Sequence, residues 1–387
     1  MDAIAIRSIQ ASVYRVPVEM PVQTSFGMLR DRAAVLVRVL DKDGVAGWGE
    51  IWCNFPTVGA EHRARLLIET VAPLALARPW ESPAACHATL SQALHVLAVQ
   101  SGEPGPVAQV LAGLDIAMWD LLAKRRKLPL WRLLGGESNR VAVYASGLNP
   151  TAPERLAAQK AAAGYTAFKL KVGFGADIDE ANLRNLRRTL GDSATLMVDA
   201  NQAWDVAQAR AMAARLSRFD LLWLEEPIGA DAPMEDWRSL ARDSDIPLAA
   251  GENFRGDDFQ RFLDSGTLKV LQPDLAKWGG FSRCIALREP AGRAGAWLCP
   301  HWLGGGAGMR AALHFKAAVG GKGYAEIDAN PNPLRELLAG GLPAVQNGTM
   351  HLSDATGLGA DPDLEAVARF LVAEQTADRT HIRQGPI

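Results

Sequence analysis

Seven residues of types that bind metals or move protons recur at near-constant intervals. Lys171, Asp199, Glu225, Glu252, Asp274, His301 and Glu326 are separated by 28, 26, 27, 22, 27 and 25 residues. Each ends a short apolar run, and a parallel strand with its return helix needs about that length. If the runs are strands of one barrel, the seven side chains meet at its C-terminal mouth, where such barrels keep their active sites. A polar residue at the end of one strand is ordinary; seven in register point to one reactive centre.

Three of them are successive carboxylates, Asp199 in MVDAN, Glu225 in WLEEP and Glu252 in AGENF. Crowded acids repel one another and rise in pKa unless a cation neutralises them. Oxygen-only ligands select Mg²⁺ or Mn²⁺ over zinc. Asn201, two residues beyond Asp199, is placed either to bond a ligand or substrate or to cap its turn. In AFKLKVG, residues 167 to 173, strand alternation sends Lys169 and Lys171 to one face and Phe168, Leu170 and Val172 to the other. A Schiff-base lysine, as in barrel aldolases, would use such an amine but leaves the carboxylates unexplained.

The elements that must position these residues follow from the pattern. After Gly135 and Gly136, eight β-rich runs (VAVYASG, AFKLKVG, TLMVDAN, LLWLEEP, PLAAGEN, KVLQPDLAK, AWLCPH and YAEID) alternate with stretches of helical composition such as PERLAAQKAAAG. Before them, AAVLVRVL and VAGWGEI flank a tight turn at Asp43 and Gly44 and read as a hairpin. EHRARLLIETVAPLAL and PVAQVLAGLDIAMWDLLAKRRKL then carry helical spacing, Leu111, Leu114, Met118, Leu121 and Leu122 sharing one face. The expected division is an α+β unit over 1–133, an α/β barrel over 134–360 and a C-terminal segment over 361–387.

The 387 residues suffice for a large α/β domain with a companion. With 41 basic against 43 acidic side chains, there is no field to gather nucleic acid or an anionic membrane, so a small-molecule partner is expected. Cys53, Cys86, Cys284 and Cys299 are far apart without metal or redox spacing and read as buried apolar residues. MDAIAIRSIQ lacks a signal-peptide layout and no run of about 18 apolar residues occurs, so a cytoplasmic location is expected.

GLDIAMWDLLAKRRKLPLWRLLGG, FKLKVG, VDAN, WLEEP, GEN, QPDLAKWGG and CPH, in that order, resemble the enolase superfamily, in its mandelate racemase and muconate lactonizing enzyme branch. The resemblance implies a modified TIM barrel, (β/α)7β, under an N-terminal α+β capping domain completed by the C-terminal tail. It implies Mg²⁺ on Asp199, Glu225 and Glu252, and abstraction of the proton α to a small carboxylate substrate through a metal-stabilised enediolate. Lys169 then steadies the developing charge and Lys171 is the base, its pKa, ordinarily near 10.4, expected to fall toward neutrality beside the metal and a second ammonium. Glu226 resembles a partner of Lys169. Asp274 and His301 resemble the dyad of the mandelate racemase subgroup, because muconate lactonizing relatives carry a lysine at the position of Asp274. Glu326 resembles an eighth-strand acid that, protonated, donates to the substrate carboxylate, with Asp328 a nearby competitor. His62, His87, His95, His314, His351 and His381 are read as structural.

That subgroup contains many acid-sugar dehydratases, so dehydration to a 2-keto-3-deoxy acid is expected, with racemisation or epimerisation of a 2-hydroxy acid second and a non-catalytic metal-binding barrel third. Assembly as a homo-oligomer is expected. Specificity is assigned to cap loops near 20–32 and 52–63, with Arg30, Arg32, Trp52, Asn54 and Phe55 as candidate substrate contacts, joined by Trp302 beside His301. The GGGAG run at 304–308 could cradle a phosphate, but a tight, permissive loop is the favoured reading.

Overall fold

The computed structural model describes residues 3–24 and 27–379. The N-terminal unit is built on an antiparallel sheet of strands β1 (Ile6–Thr24), β2 (Gly27–Asp41) and β3 (Ala46–Ile51). The turn at Asp43 and Gly44 joins β2 to β3 as expected. The segment at 20–32, read from sequence as a loop, is mostly the far end of the β1–β2 ladder, which runs from Ile6↔Asp41 to Thr24↔Gly27. Pro21 and Gly27 within a mixed run of apolar and polar residues give the segment a loop-like composition. Residues 25 and 26 at its tip, and His381 near the C-terminus, lie outside the described residues.

The helix Pro104–Arg125 packs on β3 at very short range. A Cβ at Gly47 would lie 2.1 Å from Ala117 O, and one at Gly49 would lie 2.2 Å from Gly113 O, so both positions require glycine. This helix is long and apolar enough to cross a membrane, but 78% of its most apolar stretch is buried inside the protein. It bridges two cores, with Leu111, Leu114, Met118 and Leu121 in that of the cap and Ile116 and Ala123 in that of the barrel.

The barrel strands match the eight sequence runs: β4 (Arg140–Leu148), β5 (Ala167–Lys171), β6 (Thr195–Asp199), β7 (Leu221–Glu225), β8 (Leu248–Ala250), β9 (Val270–Leu271), β10 (Trp297–Leu298) and β11 (Ala325–Asp328). They form a curled parallel sheet in the order β10-β9-β8-β7-β6-β5-β4-β11. Across the β10–β11 seam, Glu326 N donates to Pro300 O at 3.3 Å. This is the modified TIM barrel with a capping domain. Two further strands complete the chain. β12 (Thr349–His351) lies antiparallel on β4, and β13 (Leu371–Asp378) returns to β1, from Ser8↔Asp378 to Tyr14↔Leu371.

Alternation along the strands explains where the charges go. Tyr144, Ala167, Met197, Trp223, Ala249, Val270 and Cys299 form an apolar floor inside the barrel. Two residues further along β5, β6 and β7, the same face presents Lys169, Asp199 and Glu225, while Phe168, Leu170 and Val172 face the helices in the outer core.

Candidate active site

The charged layer is a lattice of opposite charges stacked on that floor. Lys171 pairs in register with Asp199, and Asp199 with Glu225. Lys171 Nζ lies 2.5 Å from Asp199 Oδ2. Lys169, fully buried, reaches Glu225 Oε1 at 2.5 Å, Glu326 Oε1 at 2.9 Å and Asp199 Oδ2 at 3.6 Å. Across the mouth, His301 Nδ1 is 2.8 Å from Asp274 Oδ2, and its Nε2 is 2.5 Å from Glu252 Oε2 and 3.6 Å from Glu326 Oε2. All seven residues expected from sequence, with Lys169 as the eighth, belong to one cluster.

Each acid of the triad is anchored by one oxygen and turns the other toward a cation. Asp199 Oδ1 accepts from Asn201 N at 2.8 Å, while Oδ2 faces Lys171. Glu225 Oε2 accepts from Gln272 Nε2 at 2.6 Å and Trp223 Nε1 at 3.2 Å, while Oε1 faces Lys169. Glu252 Oε1 accepts from Asn253 Nδ2 at 3.0 Å, while Oε2 faces His301. Among the described residues no three acid or histidine side chains converge as a metal-binding group; each outward oxygen is turned onto its own cation. The donor set nevertheless has the composition that a hard divalent ion takes, three anchored carboxylates with one outward oxygen each.

The electrostatics follow these pairs. Burial raises the Asp199 and Glu252 carboxyls, but Lys171 and Lys169 for Asp199, and His301 and Lys277 for Glu252, bring both below the usual range. Glu225 is pushed up to about 7 by burial and by Asp199, against the pull of Lys169. The His301 imidazolium is strongly favoured: burial opposes it, and the carboxylates of Glu252 and Glu326 prevail.

One expectation needs correction, and two groups take their charge from their neighbours. Burial and Lys169 lower the Lys171 ammonium, but Asp199 at 2.5 Å outweighs them and holds it above the ordinary lysine value. Lys169, His301 and the hydroxyl donated by Ser146 draw the Glu326 carboxyl below its usual range against burial. Glu226 does not partner Lys169. Succeeding Glu225 at the strand end, with φ of 39°, it instead accepts from Asn253 Nδ2 at 2.9 and 3.0 Å and from Gln202 Nε2 at 3.0 Å. Through Asn253 it supports Glu252. Asn201 holds Asp199 by both its backbone N and its amide.

Asp328 belongs to the seam between cap and barrel. Its Oδ2 receives Arg32 Nη2 at 2.6 Å, so Arg32 docks the cap onto β11. Of the other cap candidates, Arg30 is exposed on β2, and Asn54 Nδ2 donates to Leu303 O at 2.5 Å. Trp52 packs its ring 4.6 Å from Lys277 Nζ and 6.3 Å from the ring of Phe55. Arg15 ties the β1–β2 arm to the second loop by pairing with Asp31 and Glu61. Trp302 is buried, its indole N–H donating to Gly305 O at 2.8 Å and its backbone N to Glu326 Oε2 at 3.1 Å.

Sequence reasoning missed Glu50, Ser146, Asn253, Gln272 and Lys277. Asn253, Gln272 and Lys277 lie inside the GEN and QPDLAKWGG motifs, where the ionisable neighbours drew the attention. Ser146 closes a strand with no ionisable end. Glu50, from β3, accepts from Gly305 N at 2.6 Å and Gly308 N at 2.9 Å, so a carboxylate of the chain itself fills the glycine-rich loop that could have held phosphate. Its carboxyl is pushed up to about 7 by burial, which those N–H donors only partly offset.

Comparison with known proteins agrees with this geometry. The enolase C-terminal domain-like family model matches residues 153–367, and the mandelate racemase/muconate lactonizing enzyme N-terminal domain matches residues 8–135. The chain belongs to the enolase superfamily, and within it to the mandelate racemase/muconate lactonizing enzyme family. A solved mandelate racemase/muconate lactonizing enzyme from Bordetella bronchiseptica RB50 is 49% identical, covers 95% of this chain and 99% of its own, and superposes with a TM-score of 0.88. D-galactarolactone cycloisomerase of Agrobacterium fabrum is 30% identical over 88% of this chain and 91% of the relative. A mutant L-talarate/galactarate dehydratase solved with Mg and L-glucarate is 26% identical, covers 97% of this chain and 94% of its own, and has a TM-score of 0.85. The relatives include sugar-acid dehydratases, cycloisomerases and o-succinylbenzoate synthases, and this chain is an enzyme of their superfamily.

Proposed function

We propose that the enzyme removes the proton α to the carboxylate of a sugar acid and eliminates water to give a 2-keto-3-deoxy acid. One observation carries the reading. His301, fixed at Nδ1 by Asp274, aims Nε2 into the acid cluster that Lys169 and Lys171 enter from β5. A lysine pair alone accounts for proton abstraction; an imidazole facing it, oriented by a carboxylate, supplies the acid that a departing hydroxyl needs.

Lys171 Nζ takes the α-proton, and the charge passes to the substrate carboxylate as an enediolate. Lys169, whose ammonium is fully buried, stabilises that charge in a site already dry and preorganised. His301 Nε2 gives its proton to the β-hydroxyl as the C–O bond breaks, releasing water, and the enol product tautomerises to the 2-keto acid. Asp199, Glu225 and Glu252 would hold Mg²⁺ through the oxygens now facing Lys171, Lys169 and His301, and the ion would supply Lewis-acid polarisation of the carboxylate. With Asp199 so committed, the upward pull on Lys171 weakens, and burial and Lys169 favour the neutral amine.

Isomerisation is the second reading, favoured by the cycloisomerase relative. It uses the same pair, with a proton returned to carbon. Incubation with Mg²⁺ and a panel of mono- and dicarboxylic sugar acids in D₂O tests both. Accumulation of a 2-keto acid is expected; epimers or cyclised isomers with no 2-keto acid overturn dehydration.

A further inference from the structure

The turn after β10 is shaped around a side chain from the cap. Glu50 is 1% exposed, and both its oxygens accept backbone N–H groups, from Gly305 and Gly308. No side chain fits between them: a Cβ at Gly305 would lie 2.5 Å from Glu50 Oε1. On the other side of the same turn, a Cβ at Gly304 or Gly308 would lie 2.3 or 2.2 Å from the ring of Trp302. The Trp302 indole N–H closes the turn on Gly305 O, and its backbone N holds Glu326 Oε2. His301 is the residue immediately before Trp302. A continuous path therefore runs from Glu50 through Gly305 and Trp302 to Glu326 and His301. Lys169 and Lys171 sit on β5, positioned by its ladder with β6.

We infer that Glu50 is a positioning residue for the acid half of the site, fixing the turn that aims His301 and Glu326 and leaving the Lys171 half to the barrel. This rests on the division of labour proposed above. It also means that docking of the cap and alignment of the acid are one event, since the carboxylate that sets the turn arrives from β3.

The test separates the two halves. Glu50→Gln keeps the size of the side chain but replaces one acceptor with a donor facing an N–H. In the full-length protein with Mg²⁺, α-proton exchange with D₂O and 2-keto acid formation are measured on each panel acid that the wild type processes. Elimination should fall by about 10²-fold, the scale of an ångström-level misplacement, while exchange on the Lys171 face stays within about twofold. Equal loss of both overturns the inference. Absence of both exchange and 2-keto acid formation in the wild type would instead overturn the proposed reaction. A readout independent of turnover is the ¹⁵N-histidine spectrum, in which the His301 ring signals should move in the variant; unmoved signals overturn the inference. If Glu50→Gln does not fold, Glu50→Asp is put through the same measurements.

Discussion

Buried carboxylates hold this protein together in two places, and they are treated differently. In the catalytic layer, Asp199, Glu252 and Glu326 each lie against a lysine or His301 and stay below the usual carboxylate range despite burial. At the seam between cap and barrel, Glu50 meets only backbone N–H groups, and Asp115 meets Ser282 through its backbone N at 3.0 Å and its hydroxyl; both acids are pushed up to about 7 by burial. Cations keep an acid ionised, while N–H donors fix where it sits and compensate its charge only in part. Each region also holds an exception: Glu225 at the centre is pushed up to about 7 by burial and Asp199 despite Lys169, and Asp328 at the seam, despite burial, is drawn below its usual range by Arg32 and Arg335.

The contrast is sharpest at the ligands. Removing divalent ions with a chelator should abolish turnover while the fold persists, measured by activity and circular dichroism; full turnover after chelation would dissolve the distinction. Lys171→Ala should cost about 10²–10⁴-fold in α-proton exchange, the usual contribution of a general base, with exchange at the wild-type rate refuting its role. Lys169→Met strands Glu225 and Glu326 without their shared cation, and urea unfolding should show a loss of about 3–5 kcal/mol, as for a broken buried pair.

The seam answers to pH. The folded value of Asp115 lies near 7 against an ordinary 3.8. Its contribution to stability is complete below about 3.8 and is lost as pH rises through 7, and asparagine cannot titrate. The stability of the wild type relative to Asp115→Asn should thus decline by a few kcal/mol, in order of magnitude, between about pH 4 and pH 8. A difference independent of pH would show that the seam acid is compensated like those of the centre.

Legibility in the sequence divides along the same line. Composition marked the eight strands and spacing the seven residues at or just beyond their ends, because a βα repeat has a nearly fixed length and alternation decides which face a lysine takes. The seam was hidden. Glu50 ends a strand whose apolar alternation explains it without chemistry, and its partners are main-chain groups that leave no side-chain signature beyond the glycines. The arm at 20–32 is hidden for another reason, since Pro21 and Gly27 interrupt its pattern with residues typical of turns. Ionisation states were the least accessible, because Glu326 and Lys171 take theirs from partners more than 25 residues away in the chain and only ångströms away in space.

The pairing of β13 with β1 has a consequence for how the molecule is made. Ser8 finds its partner in Asp378, so the cap sheet acquires its fourth strand only after the whole barrel has been synthesised. During translation the N-terminal unit waits with one edge of β1 unpaired, an opening for intermolecular strand addition until the last segment arrives. The cap begins first and finishes last, and a chain ending before Leu371 would have its barrel complete and its sheet still open.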